Sequence, residues 1–395
     1  MSDDMENNNH NKNNNLNPFS PQQPAQPAYF AGRKAEIDYF RKTAINSAKL
    51  NPPAPLNYAI LGSWGLGKTS LNYEFRDIVL GELQRKISCV CIQCSLSPQT
   101  CKTWDSFTVN FLSNVGSTLN ATSKIKEKIG AEIKKWELQF NVGFFAAQRK
   151  TQTSQPDLLT ALKSLWHKHL EPAGTEIAFV LLDDLHYFPI RPDESAYLTL
   201  RSTFQELVNQ KCNYSLIITA HSGLFTEIAD IAEPMLRFFK PFELKPFTIA
   251  ETKEAVQMRL STAGRSMVID DEVFEEVTNK TGGHPYLLMY VMYEMLEIIG
   301  SVDRIGLRTF TKCWPVIQES LGKTIFKQKV QTASEKERKL LIKIAKFGEE
   351  FISPSDIKEP TELFSRLEKK ELLIRHERGK YSLFHPLFSE YLKKQ

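Results

Sequence analysis

Apolar and polar positions change rhythm several times along this chain. Residues 1–28 hold eight asparagines and four prolines and almost nothing apolar. Such a stretch buries too little surface to offset the entropy of ordering, so a disordered tail is expected. Order is expected from "YFAGRKAEIDYF", where Ile37, Phe40 and Ala44 recur at helical spacing. The run "YAI" then reads as a strand, and Leu71, Phe75, Ile78 and Val79 recur at three- and four-residue steps as a helix. "ISCVCIQC" predicts a further strand and "WDSFTVNFLSNV" a helix.

Ile177 to Leu182 are six consecutive apolar residues ending in Asp183 and Asp184. A strand apolar at every position is covered on both faces, as in a parallel sheet flanked by helices. It is expected beside the "YAI" strand. "YSLIITAHS" repeats the pattern, and "FELKPF" predicts a short last strand. Strands alternating with helices of ten to fifteen residues give an α/β sheet. Residues 124–147 pass from a lysine-rich helical stretch to alternating apolar positions, which fits an inserted hairpin. Their lysines are diluted by Glu127, Glu132 and Glu137 and read as a solvated face.

After "FELKPFT" the period-two signal stops. Thr248 with Glu251 predicts a capping box for a helix, and helical spacing continues through "EVFEEVTNK" and "PYLLMYVMYEMLEII". Near the end, "SEKERKLLIKIAKFG", "SPSDI" and "TELFSRLEKKELL" read as three helices, followed by two short strands about Gly379. Three helices and a hairpin describe a winged helix with residues 361–371 in the recognition position. The expected division is a tail (1–28), an α/β domain (29–245), a helical lid and connector (246–325) and a winged helix (326–395).

Composition narrows the picture only slightly. The 395 residues are 42% hydrophobic and 24% charged with net charge +4, ordinary for a chain with a sizeable core and too weakly basic to name a partner. No apolar run of about 18 residues and no signal-like N-terminus occurs, so a cytoplasmic protein without membrane attachment is expected. Six cysteines suit a reducing compartment. Only Cys91 and Cys94 have metal-knuckle spacing, and Cys89, Cys91 and Cys94 read better as part of a buried strand.

The chemistry concentrates in "GSWGLGKTS", where Gly62, Gly67, Lys68 and Thr69 fill the spacing G-x-x-x-x-G-K-[ST] between a strand and a helix. Glycines let backbone amides approach phosphates, and the following helix offers its positive end. Lys68 supplies a charge to the β- and γ-phosphates, and the Thr69 hydroxyl suits Mg²⁺. Gly62, Ser63, Trp64, Gly65, Leu66, Gly67, Lys68, Thr69 and Ser70 are therefore the candidate nucleotide-binding set, with ATP and Mg²⁺ the implied cofactors. Asp183 would complete the Mg²⁺ shell and Asp184 orient the attacking water. His221 could sense the γ-phosphate from a strand tip, against the plainer reading of a loop histidine. Arg237 could neutralise transition-state charge, against that of a surface arginine covering two phenylalanines. In "TGGHPYLL", Gly282 and Gly283 end one helix and Pro285 opens the next.

These motifs, with "FAGRKAEI", "LRFF" and the closing "LEKKELLIRHERGKYSLFHPLFSEYL", resemble the AAA+-related P-loop ATPases of the signal-transduction (STAND) type, in particular the archaeal ATPases similar to replication initiators. The resemblance runs over about residues 29–393. It implies an α/β P-loop NTPase sheet of AAA+ type, a helical lid and a winged helix. It also implies that Arg33 lies near the base, that His221 takes the sensor-one place, that Arg237 is an arginine finger and that Pro285 packs on adenine. Two departures stand out. The lid offers His284 where replication initiators carry a sensor-two arginine, and Asp184 stands where many relatives have glutamate, which suits slow turnover.

Three functions fit. An ATP-binding switch would hydrolyse ATP to ADP, with self-association or protein partners responding to the nucleotide. A regulator would bind double-stranded DNA through the winged helix, whose residues 331–395 hold 14 Lys and Arg against 11 Asp and Glu, with Arg375, Arg378 and Lys380 at the wing. In the recognition helix, however, Glu362, Glu368 and Glu371 offset Arg366, Lys369 and Lys370. A non-hydrolysing scaffold is the third.

Overall fold

The structure is a computed structural model describing residues 17–122, 157–188, 196–228, 235, 237–300, 302–377 and 379–395. The hairpin expected within 124–147 and the wing residue Arg378 lie outside them. The chain divides into two compact units. One comprises Arg33–Gly62 with Lys68–Leu244; the other comprises the chain up to Gly32, Ser63–Gly67 and Lys245–Gln395.

The first unit is built on five parallel strands, β1 (Tyr58–Leu61), β2 (Cys89–Ser95), β3 (Ile177–Asp183), β4 (Tyr214–Ala220) and β5 (Lys240–Glu243), in the order β2-β3-β4-β1-β5. Every residue of β1, β3 and β4 is buried. Alternate residues along each strand serve opposite faces. On one, Phe40 of the helix Lys34–Lys49 stacks on Phe75 of the helix Lys68–Gly81 (ring centroids 4.1 Å apart) and meets Tyr58 and Phe179 edge-on. On the other, Leu61, Ile92, Val180 and Ile218 pack with Phe107 and Phe111 of the helix Trp104–Thr122, Leu162 and Phe204. This double cover is why every residue of β1, β3 and β4 is shielded from solvent, as the apolar runs required.

Two expectations are corrected. The strand ending in Asp183 does not adjoin β1: β4 lies between them, pairing with β3 through Leu182 and Ile218 and with β1 through Leu61 and Ala220. The apolar runs of β3 and β4 carry no information about which is central, so order could not be read from either. The last strand also begins and ends earlier than "FELKPF", at Lys240–Glu243, where Tyr58 to Leu61 offer partners. Cys89, Cys91 and Cys94 lie buried in β2, and all six cysteines are free.

The second unit is mainly helical. Thr248 and Glu251 form the capping box of the helix Ile249–Thr262, followed by Asp271–Thr281, Pro285–Ile299 and Leu307–Leu321. Helices Glu335–Phe347, Pro354–Ile357 and Thr361–Lys369 precede antiparallel strands Leu373–Glu377 and Lys380–Leu383, which turn about Gly379. The helix Pro386–Lys393 ends the chain. Val256, Phe274, Leu288 and Phe326 belong to the same apolar cluster as Leu341, Phe364, Leu367 and Phe388.

Residues 17–28 depart from the expected disorder. Phe19 is 1% exposed within that cluster, the Asn17 amide donates to Tyr293 O (2.9 Å), and the Arg259 guanidinium donates to Pro18 O (3.2 Å). One buried aromatic ring and satisfied polar groups order a segment whose composition alone argues against it. Among the described residues no helix is long and apolar enough to cross a membrane.

Candidate functional site

In the sheet unit the candidate residues gather at the C-terminal strand ends. The Gly62 amide donates to Ala220 O (3.2 Å), which ties the end of β1 to the end of β4. Lys68, first residue of its helix, donates from Nζ to Gly62 O (2.7 Å). Asp183 is 4% exposed and receives hydrogen bonds from the hydroxyls of Thr69 and Thr219. Burial, then the neighbouring Asp184, pushes its carboxyl above the usual range, while Thr219, Thr69 and Lys68 pull it down.

Thr219 was not singled out from sequence, yet it organises this corner. Its Oγ1 donates to Asp183 and accepts the Asp184 amide (2.8 Å). Asp184 adopts the left-handed region (φ 65°), which costs a non-glycine residue about 1 kcal/mol or more and persists only where neighbours impose it. Its carboxylate lies 3.8 Å from His186 Nδ1. The sequence signal for Thr219 was available: it is the polar residue that interrupts the apolar run of β4 beside the tip of β3. Tyr73 was missed too. Burial first, then Asp183, raises its hydroxyl's pKa, and its place one helical turn after Thr69 was the clue.

Residues 63–67 cluster with the helical unit. Gly65 (φ 75°) and Gly67 (φ 91°) adopt backbone that an L side chain rarely accepts. A Cβ on Gly65 would also fall 2.5 Å from His284 Cε1 and 2.8 Å from Tyr286 Cβ, whereas one on Gly67 would meet nothing within 4 Å. His284 Nε2 is 2.8 Å from Trp64 O, and the Tyr286 amide donates to Gly65 O (3.2 Å). The Trp64 ring lies 4.3 Å from that of Tyr286, edge-on to Phe384 at 6.5 Å, with Lys329 Nζ 4.0 Å from its centroid. His284 is 6% exposed, and burial, followed by His385, lowers its pKa to about 3, so it is neutral near pH 7. With Nε2–H donated to the Trp64 carbonyl, its Nδ1 has no hydrogen-bond partner among the described residues.

The remaining candidates are spread out. Arg33 is 6% exposed in the left-handed region (φ 59°) at the start of Lys34–Lys49. His221 follows β4 with its ring 5.5 Å from that of His186. Arg237 is exposed just before β5. Ser63 and Ser70 are half-buried, Leu66 is buried, and Pro285 is the first residue of its helix in the helical unit.

The donors fit Mg²⁺ and a nucleotide. One carboxylate and one hydroxyl already in hydrogen-bond contact are hard oxygen ligands, and Mg²⁺ usually takes few protein ligands beside phosphate and water. Among the described residues no group of three or more His, Cys, Asp or Glu could hold a metal by itself, which leaves this smaller donor set. Gly65 and Gly67 both have positive φ, the backbone found in turns whose amides receive anions.

No family model matches the chain, and no curated protein matches it in sequence. Solved structures share its fold. A Walker-type ATPase of Pyrococcus abyssi superposes with TM-score 0.57 at 17% identity, covering 95% of this chain and 99% of its own. The ORC2 protein of Aeropyrum pernix, solved with ADPNP and ADP, superposes with TM-score 0.58 at 13% identity, covering 96% and 97%. The chain therefore shares the α/β P-loop fold of these two structures.

Proposed function

We propose that this protein binds MgATP at residues 62–70 and hydrolyses it slowly to ADP and phosphate, acting as a nucleotide-dependent switch. The observation that carries the reading is the meeting of Lys68, Thr69, Asp183 and Thr219 at the ends of β1, β3 and β4. Amides of the loop receive phosphate oxygens, and Lys68 adds a point charge. Thr69 and Asp183 hold Mg²⁺, which when bound offsets charge on the β- and γ-phosphates. Asp184, fixed through its amide by Thr219, orients the attacking water. His221 and Arg237 are assigned to γ-phosphate sensing and to transition-state charge, and Arg33 and Pro285 to the base. The nucleotide complexes of the Aeropyrum pernix protein support the reading by likeness of fold.

Titration with MgATP tests it: Lys68→Ala loses binding, whereas Asp184→Ala keeps binding and loses hydrolysis. Full ATP affinity in Lys68→Ala would contradict the assignment. Binding of double-stranded DNA is the weaker reading, because Lys370, one of the cations it would draw on, pairs with the buried Glu337 (2.6 Å). An affinity for duplex DNA that falls steeply with salt would revive it.

A further inference from the structure

The contacts of residues 63–67 extend the proposed nucleotide reading and rest on it. The unusual feature is which atoms are held. His284 and the Tyr286 amide reach carbonyl oxygens of the loop, those of Trp64 and Gly65. In a trans peptide the carbonyl and the next amide point in opposite directions. Holding Trp64 O therefore turns the Gly65 amide away from the helical unit's grip, and holding Gly65 O does the same for the Leu66 amide. The Gly65 and Gly67 amides have no acceptor among the described residues, and the Leu66 amide donates to Ser63 O (3.4 Å).

We infer that His284 is a positioning residue that sets the phosphate loop's amides through the Trp64 carbonyl, in place of a cation aimed at phosphate. A neutral ring suits that task, since a donor to a carbonyl needs one N–H and no charge, and a charged one would be buried near Lys329 and His385. Gly65 is part of the device: any side chain there would occupy the space of the His284 ring. The Trp64 ring, between Tyr286, Phe384 and Lys329, keeps the carbonyl in reach and makes the loop tip optically visible.

The test is calorimetric titration of the full chain with MgADP and with a non-hydrolysable MgATP analogue, alongside tryptophan emission and melting curves. His284→Ala is expected to weaken both nucleotides by about tenfold, the scale of one lost buried hydrogen bond. His284→Gln, whose amide N–H can meet the same carbonyl, should stay within about threefold on that scale. If His284→Ala does not fold, His284→Met takes its place, similar in bulk and without a donor. Trp64 emission, isolated by difference from Trp64→Phe, should shift on nucleotide addition in wild type and His284→Gln and not in the donor-free variant. Wild-type affinity in a folded donor-free variant, or a glutamine variant as weak as alanine, overturns the inference. No nucleotide binding by the wild type overturns the proposed function beneath it.

Discussion

The strand ends of the sheet unit and the loop tip held by the helical unit solve different physical problems. At the strand ends the candidate groups are side chains, Lys68, Thr69, Asp183 and Asp184, held by hydrogen bonds that include those of Thr219. At the loop tip the candidate groups are backbone amides, and the loop is held by a neutral histidine, an amide and aromatic packing. Charged side chains therefore dominate one region, whereas in the other the groups bonded to the loop carbonyls are neutral. The first should govern whether nucleotide binds and reacts; the second should govern how well the loop is prepared for it.

The most damaging single change to the sheet unit should be Phe75→Ala. It removes a fully buried ring stacked on Phe40 and should cost about 3–5 kcal/mol, read by chemical denaturation. Thr219→Val should sharpen the contrast more selectively. It keeps the volume but strips Asp183 of a donor and Asp184 of its anchor, costing about 1–3 kcal/mol and lowering hydrolysis more than nucleotide affinity. Equal losses in rate and affinity would show that Thr219 serves binding instead.

A pH series probes the other region. Unfolded His284 titrates near 6.5, while in the folded chain it titrates at about 3, so the unfolded state binds the extra proton between those values. Stability attached to the neutral ring is complete above pH 6.5 and is lost as pH falls toward 3, reaching up to about 2 kcal/mol at about pH 5. Lys329, His385 and the Trp64 carbonyl are the groups facing the ring. His284→Gln should flatten that dependence, leaving the part due to His385, whose pKa is also depressed by burial. The smallest effect is expected at Arg304→Ala. Its partner Asp270 is 2.8 Å away, but the side chain is 70% exposed and the pair is screened by solvent, so the melting temperature should scarcely move.

Legibility followed the same divide. The glycine loop, its flanking strand and helix, the aspartate pair and the capping box at Thr248 were readable because each is local in sequence. Sheet order was not, since the insertion of β4 between β3 and β1 is a long-range choice among equally apolar strands. Thr219 escaped notice because its role depends on that order. Trp64 and His284 lie 220 positions apart, and a carbonyl acceptor leaves no side-chain signature. Residues 17–28 misled for the opposite reason: their composition is that of disorder, and one phenylalanine overrides it.

The central claim is that the loop 62–70 grips a triphosphate through its amides and Lys68. Calorimetric titration of MgATP into the full chain and into Lys68→Ala measures it most directly. The account predicts saturable one-site binding by the wild type and at least about tenfold weaker binding by the variant, the scale of a lost charge-assisted hydrogen bond. Matching isotherms for the two proteins, or no heat from either, would contradict it.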